Sequence, residues 1–257
     1  MTSVPALEIA VTSASAACAA IACGADRVEL CTALELGGVT PSQAVIDATL
    51  EVCDDTHVLV RIRPGDFVYD ADEIIQMARD AAAITAQGVA GVVIGALDPD
   101  GRLDLDAIAR IAAAARGVRP DVAVTVHRAV DAGADPVAAV ADLAGSDLAV
   151  TRVLTSGGAA AAGDGIATIA GMLAAAGGRI QIMSGGGVTL AAIPALVAVG
   201  VDAVHMSAKR PHRDHSPWTQ NWSRPRARSS PRRGDVISLI GATADGSGEG
   251  QGRGSDR

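Results

Sequence analysis

AVTVHRAVD, residues 123–131, opens as alternating β-branched residues and closes on a histidine, an arginine and an aspartate. Strict alternation of this kind reads as a strand with one face in an apolar core. The same rhythm returns in RVLTSGG (152–158), IQIMSGGGV (180–188) and VHMSA (204–208), each a short apolar run ending in reactive or phosphate-friendly residues. Strand ends that repeatedly carry such residues are how a barrel builds its working face.

Working outward, strands are expected at 7–11, 27–31, 58–63, 91–96, 122–128, 150–155, 180–184 and 203–207. Alanine-rich stretches with helical spacing, such as 72–86, 104–115, 135–144 and 164–176, separate most of them. That order predicts an α/β fold, a (β/α)8 TIM-like barrel over residues 1–208, and the 257 residues suit one such domain. An open doubly wound sheet is the alternative, but it needs fewer strands and a clear switch point.

From residue 209 to 257 the pattern fails, and Arg, Pro, Ser and Gly dominate; the expectation is a disordered, basic tail. Residues 1–208 hold 11 basic and 24 acidic side chains, against 10 and 5 in the tail, so body and tail differ in sign. The tail's arginines with Trp218 and Trp222 are read as a solvated segment, and nucleic-acid binding is not expected. No leader-like or membrane-spanning segment is found, which predicts a cytoplasmic protein with no membrane partner. The acidic body is compatible with a monomer or a homodimer. Cys18, Cys23, Cys31 and Cys53 lack CxxC spacing and read as reduced thiols.

Alternation also predicts what faces the barrel interior. Leu7, Ile9 and Val11 turn out, leaving Glu8 and Ala10 inside. By the same count Glu29, Cys31, Arg61, Arg63, Thr125, His127, His205 and Ser207 turn in. Barrel interiors kept for stability alone are filled with branched apolar residues, and unpaired buried charge is costly. The polar interior therefore points to a site, with a self-neutralising ionic network as the structural alternative. Phe67 and Tyr69, the chain's one Phe and one Tyr, fall beside Asp66 in RPGDFVYD and suggest a wall over the mouth. Thr155, Ser156 and Gly157 after the sixth strand, and Ser184, Gly185 and Gly186 after the seventh, supply backbone N–H groups able to cradle phosphate.

LEIAVTS, GADRVELC, GGVTPS, RIRPGDFVY, GALDPDGRLD, VTVHRAVD, RVLTSGG, MSGGGV and VHMSA, in this order across roughly residues 6–208, resemble the CutC copper homeostasis protein family. The resemblance implies a TIM-like barrel, a cytoplasmic location and a role in copper handling. In some members copper binding is associated with cysteines in the first two strand blocks. Here Cys31 is the second of these, and Ala10 occupies the first place. Cu(I) favours soft thiolate ligands, which makes Cys31 the intrachain anchor of the copper reading.

Two functions follow. One is a copper-binding homeostasis protein using Cys31. The other is a metal-independent enzyme on a small phosphorylated or carboxylated metabolite. There Arg61, Arg63, Asp66 and Ser207 join the two glycine loops in binding, while Glu8, Glu29, His127 and His205 supply acid/base candidates. Lys209 is the chain's single lysine, so an interior Schiff base is not expected. Divalent-metal chemistry is also not expected, because His127 and His205 lie on different strands.

Overall fold

A computed structural model describes residues 4–207. The strands are β1 (Ala6–Val11), β2 (Arg27–Leu30), β3 (Thr56–Leu59), β4 (Gly91–Ile94), β5 (Ala123–Val126), β6 (Arg152–Thr155), β7 (Gln181–Ser184) and β8 (Ala203–Ser207). All are parallel and pair in sequence order, and β8 returns to β1 to close the barrel. The helices are α1 (Ala14–Ile21), α2 (Gln43–Leu50), α3 (Ala71–Ala86), α4 (Leu105–Val118), α5 (Ala129–Ala132), α6 (Pro136–Gly145), α7 (Ile166–Ala176) and α8 (Ile193–Val199). This is the TIM-like (β/α)8 fold expected from the sequence. The basic segment 209–257 lies outside the described residues, as do Lys209, Trp218 and Trp222. Among the described residues no helix is long and apolar enough to cross a membrane.

Local chemistry sets the helix starts. Asp70 and Glu73 form a reciprocal capping box at α3, Asp104 caps α4, and Asp135 caps α6 just before Pro136. Each cap satisfies N–H groups that have no partner within the helix. Outward strand residues Val28, Val58, Val92, Val124, Val153 and Ile182 are fully buried in one cluster with Met77, Ile108, Ile111 and Ile169 of the helices. Burying each such side chain contributes about 1.5–3 kcal/mol.

The inner face is different. Glu8, Arg27, Glu29, His57, Thr125 and Arg152 are all buried inside the closed sheet. Register places Glu8 between Arg27 on β2 and His205 on β8, and Ala10 between Glu29 and Ser207.

The third strand is shorter at its end than its apolar run suggests. Arg61 donates its N–H to Thr40 Oγ1 at 2.8 Å, and its carbonyl accepts from the Thr40 N–H at 3.0 Å. Those groups are thereby withdrawn from the sheet ladder, and the in/out alternation stops at Arg61.

Candidate active site

At the carboxyl ends of the strands the barrel opens into a cavity of about 440 Å³, whose polar lining includes Glu29, Arg61, His127, Arg128, His205 and Ser207. Glu29 and His205 of this lining form a three-residue relay with Glu8. His205 Nδ1 lies 2.8 Å from Glu8 Oε1 and 3.5 Å from Glu29 Oε2. From below, Arg27 Nε donates to Glu8 Oε2 at 2.5 Å. With Nδ1 turned to Glu8, the Nε2 edge of His205 is left toward the cavity that this residue lines.

The two carboxylates are pushed apart. Burial would raise Glu8, but the hydrogen bond with His205 and the charges of His205, Arg27 and His57 hold it well below the usual carboxylate range. Glu29 lacks the Arg27 contact. Burial lifts it to about 7, opposed by His205 and assisted by the negative charge of Glu8. Burial lowers His205, yet the Glu8 hydrogen bond and both carboxylate charges outweigh it and raise its pKa. A carboxyl group titrating near neutrality beside a positioned imidazole is suited to taking up and returning a proton.

His127 forms the opposite wall. Its Nδ1 accepts from the Ala129 N–H at 3.1 Å, so the neutral ring carries its proton on Nε2, an atom that is buried without a hydrogen-bond partner. Burial and then the positive charge of Arg61 push His127 down to about 3. Phe67 lies against this ring, centroid to centroid 4.9 Å, and under the Arg61 guanidinium at 4.8 Å. Phe67 lines the cavity as the sequence suggests, but Tyr69, expected to share that wall, is buried in the main apolar cluster instead. Arg61 is pinned by the carbonyls of Gly38 at 2.9 Å and Gly65 at 2.7 Å, so it clamps two mouth loops while its Nε stays unpartnered.

Several predicted site residues fall elsewhere. Arg63 is not in the lumen. Past the point where alternation stops, it pairs with Glu73 at 2.5 Å and Asp66 at 3.1 Å, over the Tyr69 ring. The capping-box glutamate of α3 thus draws it to the rim, and Asp66 is largely exposed there. Thr155 and Ser184 are register partners that face the helices, with Thr155 Oγ1 against Met172 of α7.

The TSGG loop does not offer an empty cradle. The Asp131 carboxylate fills it, accepting from Thr155 Oγ1 at 2.5 Å, Ser156 N at 2.8 Å, Ser156 Oγ at 2.9 Å and Gly158 N at 3.0 Å. Gly157 N turns back to Thr155 Oγ1, and Gly185 N to the Thr155 carbonyl. Among the described residues the N–H groups of Gly186, Gly187 and Val188 donate to no protein acceptor, and these three residues line the cavity.

Sequence reasoning missed Arg128, which Asp131 and Ser156 hold at 2.8 and 2.9 Å beside this loop. A Cβ on Gly186 would lie 2.7 Å from its guanidinium carbon, so glycine is needed for the close approach. Its i,i+3 spacing to Asp131 was the available signal.

Cys31 is buried in a small apolar cluster with Leu59 and Val93, with Leu34 packed against it. None of the four cysteines is in a disulfide. Among the described residues, the group whose ligand atoms converge as a metal site requires, within 4.8 Å, is Glu8, Glu29 and His205. Barrel closure assembles it from three strands, which corrects the expectation that separate strands exclude such a cluster. Its oxygen and imidazole donors are not the soft set that Cu(I) favours. Both Glu8 oxygens are also already engaged, by Arg27 and by His205. The donor set around Cys31 therefore does not form a two-thiolate copper site within one chain.

The fold defines a (β/α)8-barrel protein with a cavity at the carboxyl ends of its strands. The CutC family model matches residues 5–210, and the chain belongs to that family. It is 44% identical over 209 residues to a family protein CutC of Xanthomonas campestris pv. campestris (strain 8004), covering 80% of this chain and 84% of that one. A crystal structure bearing the name copper homeostasis protein CutC, from Streptococcus agalactiae, matches with TM-score 0.70 and 27% identity over 80% of this chain and 99% of that chain. A phosphonomutase structure from Burkholderia cenocepacia J2315 matches with TM-score 0.58, 17% identity and 79% and 87% coverage, a likeness of fold alone.

Proposed function

We propose that this chain is an enzyme that moves a proton on a small phosphorylated or carboxylated metabolite, without a metal at the reacting centre. The observation that carries this reading is the Glu8–His205–Glu29 relay opening on the cavity. Glu8 orients His205 and stays ionised, while Glu29, with a pKa of about 7, exchanges a proton at neutral pH. Arg128 and the amides of Gly186–Val188 receive the substrate's anionic group, and Ser207 adds a hydroxyl at the mouth. None of the four cysteines is in a disulfide, which suits the reducing cytoplasm.

The test is a thermal-shift screen of small carboxylates and phosphates on the full chain, followed by solvent-deuterium incorporation into whatever binds. Binding should survive Glu29→Gln while exchange is lost. If no such anion stabilises the wild type at millimolar concentration, the reading is wrong.

A second reading, copper binding, is supported by the name of the Streptococcus relative and by Cys31 lining the cavity. Anaerobic Cu(I) titration against a competing chelator decides it. Stoichiometric binding lost in Cys31→Ser would favour copper, and binding unchanged by that substitution would remove Cys31 as the anchor.

A further inference from the structure

His127 is the buried polar group at the mouth that the proton relay does not use. The imidazole is 5% exposed. It packs close to the chain just past β4 because residue 95 is glycine; a Cβ there would come within 2.6 Å of ring atoms Cε1 and Nδ1. Phe67 packs against the ring at 4.9 Å between centroids, and the Ala129 N–H fixes Nδ1 as an acceptor. Backbone, glycine and aromatic ring thus lock one tautomer in one orientation. What remains is a single N–H donor, desolvated and without an acceptor among the described residues, on a side chain that lines the cavity. Leaving such a donor unpaired costs about 1–3 kcal/mol, so an acceptor delivered by a ligand would recover that free energy.

We propose that His127 Nε2–H is the electrophile that receives a substrate carbonyl oxygen, so that the substrate is a small carbonyl compound carrying one anionic group. This rests on the acid–base reading and names its substrate class. A neutral imidazole N–H is a good donor to an oxygen that gains charge, since it need not give up its proton. The nearby Arg61 charge, which depresses the ring's pKa, favours negative charge on that oxygen as well.

The step balances as an enolisation. The C–H bond next to the carbonyl breaks, its electron pair forms a C=C bond, and the carbonyl π pair moves onto oxygen, where His127 donates to it. The proton goes to the Glu29 carboxylate and returns to carbon in the reverse direction. Arg128 with Gly186–Val188 holds the anionic group, and matched probes decide whether this is a carboxylate or a phosphate.

The probes are pyruvate and dihydroxyacetone phosphate, paired with lactate and glycerol 3-phosphate, which keep the anion but lack the carbonyl. With 15N-histidine-labelled full chain, one carbonyl probe should bind at least tenfold tighter than its reduced partner and shift the His127 Nε2–H resonance. His127→Ala should abolish that preference. His127→Gln, whose amide N–H replaces the donor, should restore part of it, and Glu29→Gln should leave it intact. Exchange of the α-hydrogen with deuterium should fall on the order of 100-fold in His127→Ala.

Equal binding of carbonyl and reduced probes by the wild type overturns the inference, as does a preference that survives His127→Ala. Because binding preference in the wild type needs neither turnover nor a variant, it separates two failures. A His127-dependent preference without any hydrogen exchange would sink the proton-transfer reading and leave the carbonyl site in place.

Discussion

Two buried histidines lie across glycines that open and follow the fourth strand, one at each end of the barrel, and their surroundings differ in a telling way. At the floor a Cβ on Gly91 would meet the His57 ring at 2.2 Å, and at the mouth one on Gly95 would meet His127 at 2.6 Å. The floor is a network in which each charged side chain finds a protein partner. Arg27 is held by Glu8 and Met183, Arg152 by Thr125 and Gln181, and His57 Nε2 by Asp55. One floor atom, His57 Nδ1, is left without a partner. At the mouth, among the described residues, His127 Nε2 and Arg61 Nε are buried without a partner and the amides of Gly186–Val188 meet no protein acceptor, and all five residues line the cavity. Polarity inside a barrel does not by itself mark a site. Polarity left unsatisfied beside a cavity does, because a ligand can complete it.

The comparison is most severely tested at the floor. Arg27→Ala should cost about 3–5 kcal/mol in chemical denaturation, since it strips a buried carboxylate of its partner. A loss below about 1 kcal/mol would show that the floor is not the structural end.

Next is the pH dependence of the mouth. Glu29 is raised from its ordinary 4.5 to about 7, so the folded state binds its proton more tightly than the unfolded chain. That contribution is fully present below about pH 4.5 and is lost as pH rises through about 7, on the order of 3 kcal/mol. Urea titrations should show this slope in the wild type and its disappearance in Glu29→Gln. His205, also raised, adds a loss in the same direction.

Gly95→Ala should cost about 1–3 kcal/mol by overpacking the His127 ring and should weaken ligand binding. Gly91→Ala should cost as much in stability and leave binding unchanged, measured by thermal shift with and without ligand. The smallest effect belongs to the rim. Arg63→Ala should change stability by less than about 1 kcal/mol, because its ion pairs are solvent-screened.

Period-two alternation made Glu8, Glu29, Arg61, His127 and His205 legible as interior residues. It failed where backbone bonding departed from the sheet: Thr40 captures Arg61, and Arg63 swings out to the α3 capping box. Arg27 shares the parity of Glu29, and Arg152 that of Leu154, so both were readable but passed over at strand starts. The glycine loops looked equivalent in sequence. Asp131 fills one and nothing among the described residues fills the other, a difference set by contacts between segments about 25 residues apart.

The sequence by itself determined the order of eight strands and intervening helices, through apolar repeats at strand and helix spacing, and, up to the ends of the strands, which face is polar. The tertiary structure alone decided the partners. Closing β8 onto β1 brings residues 197 positions apart into the Glu8–His205 bond. That contact divides the two carboxylates into one fixed ion and one that titrates near neutrality. Local periodicity carries no information about which strand ends meet across the lumen, and the electrostatics of the site depend on those distances.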